Sequence, residues 1–155
     1  MDEMTTVVTK KQEDTKGMYL TFLVSEEEYG IEIVYVTEII YIQAITKVPE
    51  LPNYIKGIIN LRGKIIPVLD VRVRFRKEET PYNDRTCIVV VDVGGTVVGL
   101  IVDMVREVMS IDEDDIVPPA KGAMGNQYIQ GVAKLGADVK LLLDIERLVS
   151  DESLN

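Results

Sequence analysis

The chain has no histidine and no tryptophan, and only one cysteine and two phenylalanines among its 155 residues. Without histidine it lacks the commonest acid/base group at neutral pH, and with one cysteine the usual zinc-ligand sets cannot be assembled. Ser/His and Cys/His nucleophile pairs are excluded on the same ground. Cys87 can form no intrachain disulfide, and inside TCIVVVDV it reads as a small buried hydrophobe. A phosphate loop is missing too: GIINLRGKI has five residues between its glycines instead of four, and Ile65 where Ser or Thr would hold magnesium. The acidic run SIDEDDIVPP fails as a calcium loop, because Ile116 occupies the fifth position of that register and no glycine follows, so it reads as a solvated turn. Long apolar runs are absent as well. The most apolar window, TVVGLIVDMV, is interrupted by Gly99 and Asp103, and the first residues carry no apolar core of signal-peptide length. The expectation is a cytoplasmic protein with no cofactor, no metal and no direct membrane insertion. Its net charge of -9 would repel a phosphate backbone, so nucleic acid is not an expected partner.

Apolar residues make up 46% of the chain and aromatics only 6%, so the core must be built from Val, Ile and Leu, which favour strands. The length suits one ordinary domain or two small halves sharing a core. An internal repeat selects between these. MYLTFLVSEEEYGIEIVYVTEII matches CIVVVDVGGTVVGLIVDMVREVM at an offset of 69 (99 − 30), pairing Gly30 with Gly99 and Glu38 with Glu107. After an insertion containing KGAMGNQ the offset becomes 74 (131 − 57), and YIKGIINLRGKIIPVLDV matches YIQGVAKLGADVKLLLDI. Each half reads as strand, turn, strand, irregular connection, hairpin and helical turn, with Asp70 and Asp144 as N-caps. Pro67, which stands where the second copy has Leu141, suggests an edge position or bulge. The basic run RVRFRK reads as a solvated helical face.

The predicted fold is mainly β: two small barrels packed side by side, about 18–76 and 86–150, within one domain spanning 17–150. Exchange of a strand between the halves is left open. Residues 1–16 and 151–155 read as flexible polar tails.

The repeat also serves as an internal control, since positions required by the fold recur in both halves. Arg62 does not: its counterpart is Gly136. Either Arg-Gly or Gly-Ala can make a two-residue hairpin turn, so the turn leaves the arginine unexplained. Arg62 is then either an ordinary exposed tip residue or a preorganised anchor for a partner. Glu38 recurs as Glu107 and Val36 as Val105, while Ile39 stands opposite Val108; recurrence points to structural roles, and the apolar positions read as core.

The segments EEEYGIEIVYVTEI, YIKGIINLRGKIIPVLDVRVRF, VVGLIVDMVREV and YIQGVAKLGADVKLLLDIERL together resemble the CheW family of bacterial chemotaxis coupling proteins, with NLRG followed by PVLDVR the most specific part. The resemblance implies two five-stranded SH3-like β-barrel subdomains with short helices. It implies a non-catalytic adaptor joining the CheA histidine kinase, through that kinase's CheW-like regulatory domain, to the cytoplasmic tips of chemoreceptors, and so recruited to membrane-associated receptor arrays. Carried onto this chain, Arg62, Glu38 and Val108 fall in the receptor-facing region, and Val36 and Gly57 at positions linked to kinase association. Gly131 repeats Gly57, so a close backbone approach would explain both glycines. The alternative is a generic SH3-like peptide-binding module, although such modules ordinarily use an aromatic-lined groove.

Overall fold

The computed structural model describes residues 15–119 and 127–150; most of both polar tails and of the KGAMGNQ insertion lies outside the described residues. The strands are β1 (Met18–Val24), β2 (Glu27–Glu32), β3 (Val36–Tyr41), β4 (Ile55–Leu61), β5 (Lys64–Asp70), β6 (Cys87–Val93), β7 (Thr96–Val102), β8 (Met104–Ser110), β9 (Ile116–Val117), β10 (Ile129–Leu135) and β11 (Asp138–Leu143). Helical turns α1 (Val71–Arg74) and α2 (Ile145–Val149) follow β5 and β11. Asp70 caps α1 by accepting the backbone N–H groups of Arg72 and Val73, and Asp144 caps α2 by accepting that of Arg147, so both aspartates start helices at equivalent places.

The strands form two sheets, ordered β3-β6-β7-β5-β4 and β8-β1-β2-β11-β10-β9. Under the repeat offsets the two orders are the same, with the two-residue β9 matched in the five-stranded sheet by the isolated Thr46–Ile58 bridge. The halves 18–76 and 86–150 do not map one to a sheet, however. The leading hairpin of each half, β1-β2 and β6-β7, is inserted into the sheet built by the other half's later strands. Short parallel pairings join the exchanged pieces, β5 to β7 and β11 to β2.

Exchange accounts for the composition of these hairpins. On β6, Ile88 and Val90 face the interior of the five-stranded sheet while Val89 and Val91 join a second cluster shared with Phe22, Tyr29, Leu143 and Leu148. Both faces of the strand are buried, which requires a continuous apolar run such as CIVVV where a half-exposed strand would alternate. The edge strand β3, by contrast, alternates partly buried and exposed residues.

Two local readings change. Pro67 lies on β5, an interior strand; it is accommodated because the β5–β7 ladder begins only at Val68, one position later than the equivalent ladder, which begins at Leu141. The run RVRFRK is not a solvated face. Arg72 is ion-paired with Asp103, Lys77 with Glu27, and the Arg74 guanidinium lies 4.1 Å from the ring centre of Tyr54 and 4.8 Å from that of Tyr128. Phe75 continues a chain of rings, 5.3 Å from Tyr29 and 5.9 Å from Tyr128. The segment pins the two sheets together, a role that charge alone could not reveal.

Candidate functional site

The β4–β5 hairpin turns on Arg62 and Gly63, with φ of 51° and 85°. Both central residues are left-handed, the type I′ geometry that matches strand twist, and the Gly63 N–H donates to Asn60 Oδ1 at 2.9 Å. In the equivalent turn Gly136 has φ of 66°, while Ala137 has no positive φ. The arginine therefore occupies a backbone conformation that disfavours any L side chain. Nothing in the turn requires it.

The Arg62 side chain, 70% exposed, forms an ion pair with Glu38, 29% exposed. Glu38 reaches it through a bulge in β3, where the pairing with β6 slips between Val36 and Glu38 and the Thr37 hydroxyl donates to the Val90 carbonyl at 3.1 Å. Bulges of this kind redirect the following side chain. An equivalent slip occurs in β8 before Glu107, yet the repeat sets Gly136, not an arginine, at the position opposite Arg62. The backbone feature recurs and the ion pair does not.

Beneath the pair lies a groove of about 550 Å³ whose walls include Leu61, Ile66, Val90 and Val97. Its floor is apolar and its rim is charged, with Lys64 and Asp92 beside Arg62 and Glu38. A second groove, of about 430 Å³, runs where edge strands β3 and β8 approach, lined by Ile39, Ile40, Tyr41, Met104, Val105 and Cys87.

The remaining site candidates divide. Val108 lies on β8 and is 47% exposed, and its counterpart Ile39 is 41% exposed, so neither is the core residue its type suggested. Val36 is partly buried against the shared cluster. Gly57 has φ of 145°, and a Cβ there would lie 2.1 Å from the Thr46 carbonyl oxygen, so the backbone alone accounts for the glycine. Sequence reasoning missed the exposure of Tyr41, the most exposed large hydrophobic residue among those described, and the fact that the repeat pairs exposed residues, Ile65 with Val139 and Val48 with Val117. Laying burial on the repeat exposes these pairs; apolarity by itself does not.

Among the described residues no group of three or more Cys, Asp or Glu side chains is arranged to hold a metal ion, and no helix is long and apolar enough to cross a membrane.

A family model described as a CheW-like domain matches residues 18–153. The chain is 37% identical over 150 residues to the chemotaxis protein CheW of Klebsiella aerogenes, covering 95% of this chain and 90% of that protein. It is 32% identical over 147 residues to the chemotaxis protein CheW of Treponema pallidum, covering 91% and 86%. The crystal structure of the scaffolding protein TtCheW from Thermoanaerobacter tengcongensis superimposes with a TM-score of 0.82 at 37% identity, covering 88% of this chain and 94% of that one.

Proposed function

The chain belongs to the CheW family, and from that premise we propose that it is a non-catalytic chemotaxis adaptor that couples the CheA histidine kinase to the cytoplasmic tips of chemoreceptors. The scaffold role accords with relatives bearing the CheW name and with a structural neighbour described as a scaffolding protein. The finer assignment rests on one observation. Arg62 and Glu38, two residues expected at the receptor contact, meet at the rim of an apolar-floored groove, and the arginine stands where its own turn favours glycine.

A receptor tip is a helical hairpin with an apolar stripe. The groove takes that stripe while the rim guanidinium, a rigid five-donor fork, fixes register against carboxylates or carbonyls of the helix. Pairing with Glu38 holds the fork in place before the partner arrives, which lowers the entropic cost of binding. Val108, exposed on the other edge strand, extends the receptor face. Val36 and Gly57 belong to the kinase side, where Gly57 acts through the backbone position it permits. Recruitment to membrane-associated receptor arrays follows from these contacts and needs no anchor of the chain's own.

The test is reconstitution of kinase, receptor and adaptor. Autophosphorylation should rise when all three are present and should not rise when the adaptor meets the kinase alone. Undiminished activation of the isolated kinase would refute the coupling mechanism.

A further inference from the structure

The two sheets share one strand order, so the positions that line the groove beside Arg62 have counterparts in the six-stranded sheet. At the rim positions stand Glu107 and Gly136 in place of Glu38 and Arg62, with Leu135 in place of Leu61. The floor positions differ in kind. Ile66, Val90 and Val97 are replaced by Lys140, Thr21 and Glu28. Lys140 Nζ lies 2.5 Å from Glu28 Oε2, with the two side chains only 8% and 16% exposed. The other carboxylate oxygen, Glu28 Oε1, is buried and accepts no hydrogen bond from the described residues. The Thr21 hydroxyl turns to the backbone, donating to the Glu107 carbonyl at 3.1 Å.

Ion pairs this deep are weak contributors to stability, because desolvation of both charges offsets their attraction. The five-stranded sheet shows that Val and Ile serve the same two positions in the same strand order. The fold therefore does not require the charges, and their presence calls for another explanation.

We propose that Glu28 and Lys140 are specificity-determining residues that close the six-stranded sheet to the partner received by the five-stranded sheet, so that the adaptor takes one receptor tip and not two. An apolar stripe entering this mouth would meet a desolvated ammonium and a carboxylate already short of a donor. An apolar occupant would strip the remaining solvent from both charges and offer Glu28 Oε1 no donor, and that desolvation cost discriminates against it. A repeated fold would otherwise present two equivalent grooves, and an adaptor receiving a receptor at both would bridge receptors to each other. The inference rests on the receptor reading of the Arg62 groove.

The experiment is calorimetric titration of purified full-length chain with a soluble receptor cytoplasmic-tip fragment. Wild type should show one site, weakened at least tenfold by Arg62→Ala. If wild type binds no tip, or Arg62→Ala binds as wild type does, the receptor reading itself falls. Given one Arg62-dependent site, Glu28→Val/Lys140→Ile/Gly136→Arg should titrate with two sites and retain one when Arg62→Ala is added. A folded triple variant that still shows a single site overturns the inference. Gly136→Arg alone keeps the fold testable if the triple variant does not fold, because a Cβ at this position meets nothing within 4 Å and its φ of 66° is close to the 51° that Arg62 already adopts. With the floor still closed it should leave one site, and a second site would overturn the inference equally. The reciprocal change, Ile66→Lys/Val97→Glu, should reduce tip affinity at least tenfold in a protein with an unchanged circular dichroism spectrum; unchanged affinity contradicts the proposal.

Discussion

Replacing Arg62 with glycine should make the protein more stable and worse at its task. The φ of 51° at Arg62 lies in the left-handed region, which costs a non-glycine residue roughly 1 kcal/mol or somewhat more. Arg62→Gly removes that strain. Against it stand the loss of the Glu38 ion pair and the greater freedom of glycine in the unfolded chain. With the arginine side chain 70% exposed, the pair is screened by solvent and worth only a few tenths of a kcal/mol. The net expectation is a gain of about 0.5 kcal/mol. Arg62→Ala keeps the strain and loses the pair, so it should be destabilised by no more than about 0.5 kcal/mol, the usual range for surface substitutions. The two variants should thus differ by about 1 kcal/mol, or roughly 2–4 °C in melting temperature for a chain of this size. Binding to the receptor tip should respond differently: both variants lose the guanidinium, and truncating an interface arginine costs on the order of 2 kcal/mol, about thirtyfold. Binding to the isolated kinase domain should change much less. Thermal melts of the three proteins and separate titrations against tip and kinase domain provide the measurement. If Arg62→Gly melts below Arg62→Ala, glycine relieves no strain at this turn and the reasoning fails.

Lys140→Ile alone leaves the Glu28 carboxylate buried without a counter-charge and should cost on the order of 3 kcal/mol, whereas adding Glu28→Val should recover most of it; urea melts of the full double-mutant cycle that show additive losses would contradict this. Gly57→Ala should cost at least about 2 kcal/mol, because the new Cβ strikes backbone at Thr46 and no rotamer relieves it, while Gly63→Ala, in open space, should cost about 1 kcal/mol; equal melting temperatures would discount the close approach. Burial first, then the charges of Glu146 and Asp144, raise the pKa of Glu32. Ionised Glu32 therefore opposes folding above its folded-state pKa, and the penalty disappears below the unfolded-state value. Glu32→Gln should melt higher than wild type at pH 7, with the difference vanishing as pH falls through the ordinary carboxylate range, and a pH-independent difference would exclude the cause given.

The repeat was legible because the two halves supply equivalent strands to two sheets of the same order. Gly30 with Gly99 and Asp70 with Asp144 are backbone and capping requirements, and such requirements recur wherever the geometry does. The exchange of leading hairpins could not be read, since pairing β1-β2 with β5 or with β11 satisfies the same local pattern; only the doubly buried runs distinguish the hairpins as central. Charge was the poorest guide. RVRFRK reads as a solvent face, yet Arg74 is held between Tyr54 and Tyr128, residues distant in sequence whose rings no local window contains. At the site, the absence of an arginine opposite Arg62 was visible in the repeat, whereas its pairing with Glu38 depends on a bulge of one residue that hydrophobic periodicity does not mark.

Hairpin exchange bears on how an adaptor without chemistry can transmit a signal. The groove beside Arg62 draws Glu38, Arg62 and Lys64 of its rim from the first half of the chain, and Asp92 of the rim with Val90 and Val97 of the floor from the second. Those strands turn their opposite faces, through Val89, Val91 and Val98, to the cluster that also holds Phe22, Tyr29 and Leu143 of the other sheet. The Arg62 hairpin is thus joined through β5 to β7 and to a core shared by both sheets. Close-packed interiors deform little and carry strain. What such a scaffold delivers to a second partner is the position and orientation of a rigid body, and the variants that matter for coupling are those that change where partners sit on it while leaving its melt unchanged.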